Sequence, residues 1–104
     1  MILASCDEIP GRQIIKTLGL VRGNTIRARH IGRDIMAMLR GIVGGEVTDY
    51  TKMIAEAREQ ALDRMTAEAE KLGANAIVAV RFGTAEMMTT AAEILVYGTA
   101  VVIE

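Results

Sequence analysis

The chain has 104 residues, 51% hydrophobic and 24% charged, with 12 Lys and Arg against 13 Asp and Glu. That predicts one domain spanning residues 1–104, and a charge near zero with a pI of about 5.8 excludes a protein that works by coating nucleic acid or an anionic membrane. A single Cys rules out a disulfide framework, and 3% aromatic residues with no Trp leave too few stacking platforms for single-stranded nucleic acid.

The opening Met1-Ile2-Leu3-Ala4 carries no cationic region before an apolar stretch, so no signal peptide is visible and a reducing cytoplasm is expected. Ile2 and Leu3 read as a short strand ended by a turn at Pro10-Gly11. From Gln13 to Arg29 the run of Ile, Val, Leu and Thr predicts strand. Gly19 marks a bulge within it, while Gly23-Asn24 fits either a hairpin turn or a second bulge in one long bent strand.

His30 to Val43 spaces Ile31, Ile35, Met38, Leu39 and Ile42 by threes and fours, the apolar stripe of a short helix. The strongest pattern follows. Tyr50, Met53, Ile54, Ala57, Ala61, Met65, Ala69 and Leu72 share one face of a helix from Val47 to Leu72, with Glu56, Glu59, Asp63 and Glu70 opposite. Gly73 sits where a left-handed C-cap is wanted, and Lys71 complements the dipole there.

Ala76 to Phe82 reads as strand, bounded by Gly83 and a loop or bulged turn running to Thr90. Glu93 to Ile103 reads as a last strand, apolar on both faces. Its apolar run from Ile94 covers ten residues, half of the roughly 20 that cross a bilayer, so no membrane partner is expected. The fold class is α+β: an antiparallel sheet in two layers with one long helix, plus the short helix. One helix cannot cover both faces of that sheet. The remainder, in a chain this short and this apolar, predicts a homo-oligomer.

Glu8-Ile9-Pro10-Gly11, Gly19 to Thr25, Ile31-Gly32-Arg33-Asp34-Ile35, Gly44-Gly45-Glu46, Tyr50-Thr51, Gly73 to Ala76 and Tyr97 to Val101 together resemble the YbjQ-like family. That family of small prokaryotic proteins carries the label "putative heavy-metal-binding domain". The resemblance implies a dodecin-like subunit (strand, helix, two strands) that assembles into a ring of five, either single or stacked face to face with a second ring, and it implies no catalytic residue. The chain departs from the family pattern at His30, where Asn is usual, and at Cys6, where Thr is common.

Cys6 and His30 are the candidate metal ligands, yet no Cys-x-x-Cys or His-x-x-x-His spacing accompanies them. Met36, Met38, Met87 and Met88 offer thioethers to a soft ion, although such methionines more commonly fill core and interface gaps. Cys6 as a nucleophile would need His30 as its base, and nothing in the sequence places them together.

Charge is divided unevenly. Residues 21–45 hold Arg22, Arg27, Arg29, Arg33 and Arg40 against Asp34 alone, whereas residues 46–72 hold seven acids against four bases. This asymmetry suits a head-to-tail interface pairing Arg27, Arg29 and Arg33 with Glu56, Glu59 and Asp63. Its alternative is a small-anion site built from Arg27, Arg29, Gly32 and Arg33 at a helix N-terminus. Gly44-Gly45 forms a second cradle without the Lys-Ser/Thr of a P-loop. An enzyme acting on an anionic small molecule at an inter-subunit site would use Arg27, Arg33 and Gly44-Gly45.

Overall fold

The computed structural model describes residues 1–27, 48–88 and 91–104, with the side chains of 26–27, 48–53, 86–88 and 91–92 left aside. Its elements are β1 (Ile2–Leu3), β2 (Ile14–Arg27), α1 (Thr48–Lys71), β3 (Ala76–Met88) and β4 (Ala91–Ile103). The short helix expected over 30–43 lies outside the described residues. The four strands form one sheet in the order β1-β3-β4-β2. The sheet is mixed rather than antiparallel, because Ile2 and Leu3 pair parallel to Ala76 and Ile77.

The turn before β2 closes with Arg12 N donating to Ile9 O at 3.0 Å, as Pro10-Gly11 requires. β2 then runs unbroken against β4, with register shifts between Ile14 and Lys16 and between Thr17 and Gly19, so Gly19 is the expected bulge. Gly23-Asn24 is neither turn nor bulge: Gly23 pairs with Val96 and Asn24 with Leu95 in regular succession. Gly23 is there for space. A Cβ on it would overlap the Ala61 carbonyl oxygen and come within 2.5 Å of Met65 N, so only glycine lets the helix backbone lie this close to the strand.

α1 packs over β2 and β4 and only grazes β3. Ala57, Ala61, Met65 and Ala69, four residues apart, are fully buried against Val21, Ile77, Ile94, Val96 and Ala100. Three alanines on that stripe keep the helix close, and Thr25 Oγ1 donates to the Ala57 carbonyl at 3.1 Å across the same seam. The helix ends as expected. Gly73 takes a φ of +87°, Gly73 N donates to Glu70 O and Ala74 N to Ala69 O, which is the Schellman arrangement. The next residue, Asn75, donates from Nδ2 to Ile103 O at 2.8 Å and accepts from Ile103 N at 2.7 Å, tying the end of β4 to the helix exit.

β3 is longer than expected. Residues 83–88, read as a loop or bulged turn, continue the ladder with β4, because cross-strand pairing supplies what the weak strand propensity of Gly83 and Ala85 lacks. A bulge at Ala79, φ +54°, shifts the register between Val78 and Arg81. A second, smaller cluster of Ala76, Val78, Val101 and Ile103 sits under Ile9 and Ile14 on the face away from α1. The rest of that face is open in the single chain: Leu95 and Thr99 are half-buried and Tyr97 is 39% exposed.

Candidate functional site

Most of the basic cluster lies outside the described residues. Of Arg27, Arg29, Gly32, Arg33, Gly44 and Gly45, only Arg27 falls within them, as the last residue of β2 opposite Ala92. His30, Met36 and Met38 also lie outside. Glu56, Glu59 and Asp63 are exposed along α1. Met87 and Met88 belong to β3 rather than to a turn.

Cys6 is free and exposed in the loop that leaves β1. Its Sγ donates to Glu8 O at 2.8 Å, while its carbonyl receives Ala79 N at 2.9 Å and so pins the loop to the β3 bulge. Among the described residues, no three His, Cys, Asp or Glu side chains come together as an ion site.

The face of the sheet away from α1 carries a row that sequence spacing does not show. Arg22 on β2 and Arg81 on β3 are both register partners of Tyr97 on β4, so the three side chains stand side by side on one surface. All three are exposed. The row is flanked on one side by Leu20 and Thr99 and on the other by Asn24, Leu95 and Gly83, none of them acidic. Arg81 is anchored: its Nη1 donates to Ser5 O and, at 3.0 Å, to Val80 O. Arg22 and the Tyr97 hydroxyl have no hydrogen-bond or ion-pair partner among the described residues. Asn24 Nδ2 donates to Glu93 Oε2 at 3.0 Å, occupying the nearest acid of β4, and Arg64 reaches from the helix to the Asn24 carbonyl. Only the bulges at Gly19 and Ala79 bring these residues into line, and no local pattern announces such a register.

Comparison with known proteins agrees over the whole chain. The YbjQ family model, described as "Putative heavy-metal-binding", matches residues 1–104. A UPF0145 protein of Dehalococcoides mccartyi is 58% identical over 104 residues, all of both chains. Another, from Methanosarcina acetivorans, is 59% identical over 101 residues, 97% of this chain and 95% of that one. The crystal structure of a protein of unknown function from Pediococcus pentosaceus, placed in the DUF74 family, shares the fold with a TM-score of 0.65. It is 16% identical, with 100% of this chain and 98% of that one covered. The donor set here does not fit a soft-metal centre held by one chain. With one Cys and one His in the sequence, three or four thiolate and imidazole ligands cannot converge.

Proposed function

The chain belongs to the YbjQ family, and on that premise we propose that it is a cytoplasmic, non-catalytic protein with a dodecin-like subunit that assembles into a ring of five and binds a small anion. The observation that carries the ring is where the exposed apolar residues fall. Ile2 and Leu3, each 39% exposed, and Phe82, 50% exposed, lie toward one edge of the sheet. Ile15 at 56% and Leu20 at 65% lie on the strand that forms the other.

Two unlike adhesive edges on one sheet favour head-to-tail contact, which closes into a ring when the rotation permits. The backbone supports the same reading. β2 presents 14 residues of ladder on its outer side, and β1 caps β3 for only two residues, leaving open ladder from Phe82 onward among the described residues. Edges this long template aggregation unless they are covered, and a neighbouring copy covers both at once.

Native mass spectrometry tests the ring, the expected species being five times the 11.2 kDa chain. Leu20→Glu and Phe82→Glu each place a charge on one edge, and each alone is expected to dissociate the ring. Mixed together, the two variants keep one intact pair of edges and should form dimers that go no further. A parent chain that stays at 11.2 kDa overturns the proposal.

A further inference from the structure

We propose that Arg22, Tyr97 and Arg81 form a binding site for a phosphate group, either the free ion or the end of a phosphomonoester. This rests on the small-anion part of the reading above but places the anion away from Arg27, Arg29, Gly32 and Arg33, and it does not depend on the ring, because all three residues belong to one chain.

The geometry is that of a two-sided clamp. With strands 4.7–4.9 Å apart, the Cα atoms of Arg22 and Arg81 stand about 10 Å apart across Tyr97, a gap that the two long side chains bridge once Arg81 turns from the Ser5 and Val80 carbonyls toward β4. Each guanidinium offers paired N–H donors that match two oxygens of a tetrahedral anion, and the Tyr97 hydroxyl between them adds a third donor.

Charge selects the ligand. Two guanidiniums with no acid in their own row or the flanking ones match a phosphate, which carries about −1.5 to −2 at neutral pH, better than a monovalent carboxylate. Asp7 and Glu8 lie in the loop whose Ser5 carbonyl holds Arg81, and neither forms an ion pair with it. On binding, Arg81 exchanges the Nη1 bonds to the Ser5 and Val80 carbonyls, on the β1 side of β3, for bonds to the anion. Leu95 borders the row and gives the organic part of a phosphomonoester a partly apolar surface.

Isothermal titration in phosphate-free, low-salt buffer tests the site, with inorganic phosphate and phenyl phosphate as separate probes. Saturable binding is expected, about tenfold weaker in Arg22→Ala and in Arg81→Ala and about threefold weaker in Tyr97→Phe. Added sodium chloride should weaken it steeply. Tighter binding of phenyl phosphate assigns the site to phosphomonoesters, and equal binding assigns it to the free ion. Phe82→Glu, which targets the ring and leaves the row intact, should bind as the parent does, so failure of the ring and failure of the site are read separately. The proposal is overturned if neither probe saturates in the millimolar range, or if both arginine variants bind like the parent.

Discussion

The two faces of the sheet are built on opposite rules. On the face under α1, Val21, Gly23 and Thr25 of β2 meet Ala57, Ala61 and Met65 with almost no solvent between them. On the other face of the same strand, Leu20, Arg22 and Asn24 alternate with those residues and are exposed. Volume governs the first surface, since the helix backbone comes so near that a single methyl matters. Charge and reach govern the second, where side chains have room to move and the row of Arg22, Tyr97 and Arg81 presents donors outward. A strand can serve a rigid purpose on one side and a recognition purpose on the other because successive side chains point opposite ways.

The sharpest way to break this contrast is to add the same methyl on each side. Gly23→Ala drives a Cβ into the Ala61 carbonyl and toward Met65 N, backbone atoms that cannot rotate away. Its cost should exceed the upper end of overpacking, about 3 kcal/mol, read as a fall in the urea midpoint. Gly83→Ala meets nothing within 4 Å and lies outside the left-handed region. It should leave stability unchanged or raise it by about 0.4–1 kcal/mol. Equal losses at the two glycines would dissolve the distinction.

Removing volume tests the covered face from the other direction. Met65 is among the largest fully buried side chains, and Met65→Ala should cost about 2–5 kcal/mol in the same measurement, depending on how far α1 settles into the cavity. The smallest effect belongs to the open face. Arg22→Ala should move the urea midpoint by no more than about 0.5 kcal/mol of stability while weakening phosphate binding, so that folding and recognition separate along one strand.

How much of this was legible in the sequence depends on whether the signal is local. α1 and its cap were readable because Ala57, Ala61, Met65 and Ala69 repeat at helical spacing and Gly73 stands at the left-handed position. Gly19 was readable as a bulge for the same local reason. Gly23 was left open between a hairpin turn and a bulge in one long strand; the strand is single, and the use of the glycine is tertiary, because the atoms it makes room for lie about forty residues away. The stretch 83–88 was misread because its strand character comes from pairing with β4 rather than from its own side chains. The candidate site was unreadable for a stronger reason. Arg22, Arg81 and Tyr97 are far apart in sequence, and their alignment follows from two register shifts that no single segment encodes.

The bulge at Ala79 works as a parity bit. Thr99 and Tyr97 are two residues apart on β4, but their partners Val78 and Arg81 are three apart on β3, so the alternation of β3 is inverted from that point on. If β3 kept the register of Val78 without a bulge, Val80 would fall beside Tyr97 and the surface between Arg22 and β3 would be greasy, while Arg81 would pair with Val96 on the helix side. The bulge thus sets which residues of the outer half of β3 face α1 and which face away, without any change in their identity. The inserted residue tolerates a φ of +54° to keep that assignment, so the backbone at one position decides which side chains of β3 the molecule shows outward.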